Sequence, residues 1–437
     1  MPWLWHHQNG GILLPLNIRL ASSDFKYIIQ DAEPEIILVG PDFTDKLDPI
    51  MAEIPSVKRM ILLETTAHPP EWCHGTYDNM LEKAPPWVEE KPGEYPFHED
   101  DMAELFYTSV TTGPPKGVML THRNLYLHGL STMATYPVSE ADVQLHLIPL
   151  FHVNGWGTPH FLTAKGGTHV MLKKFDPVRV LEIVRKERVN KFFIIPTTID
   201  ALLGLPNFKD YDLSSMKDIL IGGGPPPTGM CAKVEEVFRC TVHGAFGMSE
   251  TCPVIAFPEL PKELDPDVFR HRAHETWGFP MTGVEFRVID ESGNDLPWDG
   301  KSIGELLVRG DMVMKGYLNK EESTKRALDE GWYHTGDLVS MGSDGSLHIR
   351  DRKKEIIESG GENISSLEIE QVLYSHPAIL ECVVIGKKDE KWGEIPEAIV
   401  VLKSGQSLSP DEIIQYTRDR MAHFKALREA VIVTEMP

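Results

Sequence analysis

Cysteine is scarce in this chain and never paired at short range. Cys73, Cys231, Cys240, Cys252 and Cys382 are scattered with no Cys-x-x-Cys among them. That pattern supports neither a disulfide framework nor a thiolate zinc site, and a reducing compartment is the default. Long apolar runs are also missing, since no stretch reaches the roughly 18 uninterrupted apolar residues of a membrane span. The opening MPWLWHHQNGGILLPLNIRL lacks a basic n-region ahead of a long apolar run, so it does not read as a signal peptide and a cytosolic protein is expected. Positive charge is in deficit as well. The 43 basic and 65 acidic residues leave a net charge of −22, which argues against a nucleic-acid surface. What is present is 41% hydrophobic and 25% charged over 437 residues, a globular composition too long for one core, so two or more domains are expected.

Short apolar segments alternate with helical patterns. Residues 11–16, 36–39 and 57–63 read as strands, and Ser22 or Ser23 is placed to cap a helix running to about Ala32. Residues 64–101, rich in Pro, Trp and Glu, read as an irregular connection. Then come a helix over 122–135, a strand over 143–150, an amphipathic helix over 176–187 and strands over 191–195 and 217–221. Such alternation predicts a parallel α/β sheet. Residues 284–289 and 304–309 read as hairpin strands of a smaller β-subdomain. Beyond them lie a helix over 365–375, strands over 382–385 and 398–402, and a helix over 410–424.

The most informative stretch is LFYTSVTTGPPKGVML, Leu105 to Leu120. An apolar strand breaks into Thr108, Ser109, Thr111, Thr112 and Gly113, then reaches Lys116. Backbone N–H groups, hydroxyls and a lysine together suit a polyphosphate. No Gly-Lys-Ser/Thr opens a helix behind them, so this is not a Walker loop. Further on, Gly222, Gly223 and Gly224 end a strand, where a flat ligand can lie against bare backbone. A tight strand-to-helix turn would use the same residues.

Four segments in this order resemble the adenylate-forming, AMP-binding enzymes, in particular the acyl-CoA synthetase branch that takes medium- or long-chain fatty acids or aryl acids. They are Tyr-Thr-Ser-x-Thr-Thr-Gly-x-Pro-Lys-Gly at 107–117, His243-Gly-Ala-Phe-Gly-Met-Ser-Glu-Thr251, Gly331-Trp-Tyr-His-Thr-Gly-Asp337, and Ile349 to Ile364. The resemblance implies a large N-terminal domain of α/β subdomains with a small β-subdomain (1–350) and a small mobile α+β C-terminal domain (351–437). It implies ATP-dependent activation of a carboxylic acid to acyl-AMP and transfer to CoA, with ATP, Mg²⁺ and CoA as cofactors. The partners implied are small molecules only, with a homodimer as an option.

By the same resemblance Thr108, Ser109, Thr111, Thr112, Gly113 and Lys116 hold phosphates, while Gly222, Gly223 and Gly224 border adenine and the acyl carbonyl. Phe246 stacks on adenine beside Gly247, Ser249 bonds the α-phosphate, and Thr111 and Glu250 take Mg²⁺. Asp337 and Arg352 hold ribose, and Asp351 is the hinge. His152 and Trp156 line the acyl pocket with Gly223, and the absence of an aspartate there favours an uncharged acyl chain over an amino acid. Lys116, His152, Ser249, Glu250 and Arg352 are the expected catalytic set.

Departures from the family pattern carry expectations of their own. Val110 stands where the family has glycine, which implies weaker nucleotide binding because a β-branched residue opposes positive φ and close approach. Glu358 stands where some relatives have lysine. The family's Pro-x-x-x-x-Gly-Lys segment does not occur, and Leu-Pro-Leu-Asn-Ile-Arg-Leu lies well inside the family's first subdomain. The sequence therefore reads as truncated at both ends, with impaired adenylation. The alternatives are a non-catalytic nucleotide- or acyl-binding fragment and an acyl-AMP ligase loading a carrier protein.

Overall fold

The computed structural model describes residues 10–85, 98–108, 114–223, 230–258, 277–353, 355–359, 362–389 and 391–436. At its centre is a parallel sheet of five strands, Val143–His146, Thr168–Met171, Lys191–Ile194, Asp218–Ile221 and Thr241–Gly244. Numbered 1 to 5 along the chain, they lie in the order 2-1-3-4-5. In this doubly wound order ligands collect outside the carboxyl ends of the strands, near the switch between strands 1 and 3. Lys191–Ile194 and Asp218–Ile221 are buried along their whole length, as parallel strands covered on both faces must be. The helix Pro177–Glu187 covers this sheet with Val180, Leu181, Ile183 and Val184. Asp176 caps it, accepting from Arg179 N at 2.8 Å.

Ahead of the sheet, Ile36–Val39 pairs in parallel with Arg59–Leu62, and the helix Ser22–Ala32 packs over them. Residues 11–16 do not form the expected strand. Only Leu13 bridges, to Glu104, because Pro15 cannot extend a ladder of donors. The helix begins at Ser22 without either serine capping it; Asp24 accepts from Ala21 N at 3.0 Å instead. Residues 64–101 are less irregular than expected, since Tyr77–Lys83 is a helix capped by Thr76. The expected strand over 143–150 stops at His146, four residues short, where Pro149 approaches.

Met102–Thr108 forms a hairpin with Lys116–Thr121, and Gly316–Tyr317 adds to its edge. The helix His122–Thr135 follows, with Thr121 and Asn124 bonding reciprocally at its start. An antiparallel sheet runs through Val284–Ile289, Gly304–Gly310, Trp332–Met341 and Leu347–Arg352. After it, helix Ser366–Tyr374 and helix Pro410–Arg418 pack on a sheet built from Ile379–Asp389, Gly393–Leu402 and Glu429–Val433. The last helix ends at Arg418, six residues before the expected 424. No helix among the described residues is long and apolar enough to cross a membrane.

Candidate active site

A cleft of about 790 Å³ opens above the carboxyl edge of the central sheet. Thr108, Lys116, His152, Gly223, Ser249, Glu250 and Arg352 line it together, although the sequence spreads them over nearly 250 positions. Each arrives by a different route. Thr108 and Lys116 are paired across the hairpin where its two strands meet the Ser/Thr/Gly segment, and both line the cleft. Ser109, Thr111, Thr112 and Gly113 themselves, with Val110 and Gly224, lie outside the described residues.

Ser249 and Glu250 begin a short 3-10 turn, Ser249–Thr251, after the fifth central strand. Its entry demands glycine, since a Cβ on Gly247 would sit 2.0 Å from the Pro253 carbonyl oxygen. Glu250 is a cleft carboxylate whose Oε1 accepts from the Tyr317 hydroxyl at 2.9 Å. Burial pushes its carboxyl above the ordinary range, opposed by Tyr317, Arg352 and Lys116. The Lys116 ammonium lies 4.8 Å from the centre of the Tyr317 ring, so Lys116, Tyr317 and Glu250 form one group. Tyr317 carries no local sequence signal, because it sits on a two-residue strand some 200 positions from Lys116.

Register places Asp337 directly opposite Arg352 in adjacent antiparallel strands. Arg352 Nε meets Asp337 Oδ1 at 3.2 Å. Asp337 is 3% exposed, and its Oδ2 is buried without a hydrogen-bond partner. Burial, partly offset by Arg352, pushes its carboxyl up to about 6. A carboxylate held this way is short of donors. Asp351, the expected hinge, is also buried; its Oδ1 accepts from Arg352 N at 2.6 Å, and Oδ2 has no partner.

Trp156 stands behind Gly223, which lines the cleft, and like Gly222 and Asp337 is not itself in the lining. Its ring packs against Gly222 and Gly223, whose Cβ atoms would lie 3.0 and 3.3 Å from it, and stacks on Phe193 at 6.2 Å. Gly223 has φ +80°, a conformation that suits glycine. His152 enters the cleft beside Phe151. Burial and the charge of Arg19 both push its imidazole below the ordinary value, leaving it neutral at pH 7. Behind it, Val153, Asn154, Gly155, Trp156 and Gly157 all have positive φ. Non-glycine residues there cost roughly 1–2 kcal/mol each, a strain that surrounding contacts must hold and that clusters at functional sites.

Phe246 is not brought into the cleft lining. It is buried at 8% exposure in the central core, edge-on to Trp277 at 6.4 Å. Two further residues steady the hairpin. The Tyr107 hydroxyl donates to Asp31 at 2.7 Å, and the Tyr27 hydroxyl to the Pro115 carbonyl at 3.2 Å. Both join the early helix to the stem of the loop.

The arrangement agrees with comparisons to known proteins. The pattern of the AMP-binding enzyme family matches residues 7–318, and that of the AMP-binding enzyme C-terminal domain matches residues 368–437. A peroxisomal butyrate–CoA ligase of Arabidopsis thaliana is 32% identical, over 98% of this chain and 77% of the relative. A feruloyl-CoA synthase of Amycolatopsis sp is 32% identical over 98% of this chain and 81% of its own length. Among solved structures, ATP-bound MatB from Rhodopseudomonas palustris superimposes with a TM-score of 0.84 at 27% identity, covering 100% of this chain and 82% of MatB. The o-succinylbenzoate CoA synthetase of Bacillus subtilis, in complex with its acyl-adenylate, gives 0.82 at 29% identity, covering 100% and 82%.

Proposed function

Because the chain belongs to the AMP-binding enzyme family, we propose that it is an AMP-forming acid–thiol ligase whose substrate is a fatty or aryl carboxylic acid with an uncharged tail. The acid's carboxylate oxygen attacks the α-phosphorus of ATP, and pyrophosphate leaves as acyl-AMP forms. The CoA thiol then attacks the acyl carbon, and AMP departs. The observation that carries this reading is the convergence of Lys116, Ser249, Glu250, Arg352, His152 and Gly223 on one cleft at the carboxyl edge of the sheet.

The roles follow from chemistry. Lys116 and the hydroxyls of the hairpin loop hold phosphates, and the Ser249 hydroxyl donates to an α-phosphate oxygen. Asp337, short of donors, accepts from the ribose hydroxyls while Arg352 steadies its charge. Magnesium takes one or two carboxylates and completes its shell with phosphate oxygens; of the glutamates lining the cleft, Glu250, Glu305 and Glu355, Glu250 is the one grouped with Lys116 and Tyr317 and fits that demand. When bound, the ion neutralises phosphate charge. His152 and the bare backbone of Gly223, with Trp156 packed behind it, are read as the wall for an acid whose tail carries no charge. Phe246 supports the turn entered at Gly247 from behind. The sheet beyond Asp351 is read as a body that pivots there between the two half-reactions.

The test is pyrophosphate release with ATP, Mg²⁺ and a panel of fatty and aromatic acids, run beside thioester formation from synthetic acyl-AMP and CoA. Acid-dependent release by some members of the panel supports the reading. Silence in both assays supports a binding fragment, and acyl-AMP formed without transfer to CoA supports a carrier-loading ligase. The five free cysteines favour a reducing, cytoplasmic setting, which imaging of a fluorescent fusion tests, and light scattering tests for a homodimer.

A further inference from the structure

The left-handed turn that presents Trp156 has an unusual anchor. Its φ angles run 32°, 46°, 56°, 63° and 78° from Val153 to Gly157. Its backbone closes Asn154 N to Leu150 O and Gly157 N to Val153 O, each at 3.0 Å. The anchor is Glu104, on the strand Met102–Thr108, at 0% exposure. Both Glu104 carboxylate oxygens accept from Asn154 Nδ2, at 2.6 and 2.5 Å. His160 Nε2 stands 3.2 Å from that same nitrogen and 3.8 Å from the carboxylate.

A buried carboxylate is costly unless its oxygens are met by donors, so placing one here fixes where the Asn154 amide must be. Asparagine is in turn among the few non-glycine residues that tolerate left-handed φ. The strand bearing Glu104 is the one that ends at Thr108 in the cleft lining. The turn bearing Asn154 is the one that lays Trp156 on Gly222 and Gly223. One carboxylate thus ties the phosphate side of the cleft to the wall of the acid pocket.

We propose that Glu104, acting through Asn154, is a positioning residue that holds the left-handed turn and thereby sets which acids the enzyme accepts. This rests on the reading of the His152–Trp156 wall as the acid pocket. Glu104 touches no substrate. Without its carboxylate the turn relaxes towards ordinary backbone angles, and the Trp156 ring loses its fixed seat on the glycines.

Three variants test it: Glu104→Gln, which keeps one acceptor for Asn154; Glu104→Leu, which keeps none; and Asn154→Gly, which keeps the backbone freedom and loses the amide. The first readout needs no activity. The near-ultraviolet circular dichroism of each protein minus that of its Trp156→Phe counterpart isolates the Trp156 signal. We expect that signal to collapse in Glu104→Leu and Asn154→Gly and to survive in part in Glu104→Gln. In the acid panel, KM for the preferred acid rises about tenfold or more in the first two, with selectivity flattened, while KM for ATP moves less than about twofold. An unchanged Trp156 signal, or acid and ATP constants that move together, overturns the proposal. Should Glu104→Leu fail to fold, the Gln and Gly variants decide between the same outcomes. A wild-type protein that turns over no acid refutes the pocket reading instead, and the Trp156 signal then decides whether Glu104 holds the turn.

Discussion

Replacing Asp337 with asparagine keeps the shape of the side chain and removes its charge. The carboxyl sits 4% exposed against Arg352, and burial raises it from 3.8 to about 6. At about 1.4 kcal/mol per pH unit that gap is worth about 3 kcal/mol, which is what ionising Asp337 costs the ligand-free fold. The sign follows from the raised value. Stability contributed by the protonated form is complete below pH 3.8 and is lost as pH rises through about 6. Asparagine mimics the protonated form, so Asp337→Asn stabilises the free protein at pH 8 by up to about 3 kcal/mol and leaves it nearly unchanged at pH 4. Binding moves the opposite way. Hydrogen bonds to a charged acceptor are worth about 1.5–3 kcal/mol each, so AMP affinity falls about ten- to a hundredfold in the variant. In the wild type, AMP affinity declines as pH drops through about 6, and in Asp337→Asn that dependence disappears. Thermal melts with and without AMP at pH 4 and 8, paired with titration calorimetry across pH 5 to 8, measure both effects. A variant that melts lower at pH 8, or that binds AMP as tightly as wild type, refutes the assignment of Asp337 to ribose.

Glu250→Gln keeps an acceptor for Tyr317 but removes the carboxylate proposed to hold the ion, so turnover falls on the order of 10²–10³-fold and half-saturating Mg²⁺ rises; steady-state kinetics over a Mg²⁺ series reads both. Tyr107→Phe cuts the 2.7 Å bond to Asp31, which costs about 1 kcal/mol. KM for ATP then rises a few-fold while KM for the acid stays put, and a rise confined to the acid would contradict the role given to the hairpin stem. Gly247→Ala drives a Cβ to 2.0 Å from the Pro253 carbonyl and 2.7 Å from Val254 Cα. Neither atom can move without the backbone, so the first melting transition drops by the equivalent of about 3 kcal/mol. Unchanged melting would mean the turn is built differently.

Much of this architecture was legible in the sequence because local signals were strong. The helix His122–Thr135 coincides with its expected span, its start marked by Thr121 and Asn124. Ile36–Val39 and Val284–Ile289 stand where apolar and alternating patterns put them. Elements decided by distant partners were harder to read. Lys116–Thr121 reads locally as the tail of a polar loop, and only pairing with Met102–Thr108 makes it a strand. Residues 11–16 have the right composition for a strand but lack a neighbour beyond one bridge at Leu13. Motif order singled out Lys116, Ser249, Glu250 and Arg352, which the structure brings to one cleft, and Asp337, which pairs with Arg352. Tyr317, Tyr107 and Glu104 were not singled out, since each acts through a contact 50 or more positions away. Phe246 shows the limit of motif reading. An aromatic at that position can face a base or a core, and packing against Trp277 turns it to the core.

In the proposed reaction a carboxylate oxygen attacks the α-phosphorus of ATP in this cleft. A substrate acid carrying heavy oxygen in both carboxylate positions tests it in one mass-spectrometric measurement with ATP, Mg²⁺ and CoA. Attack at the α-phosphorus puts one labelled oxygen in the AMP released and leaves the other in the thioester. Label in inorganic phosphate alongside ADP, or no label in any nucleotide product while thioester accumulates, would contradict it.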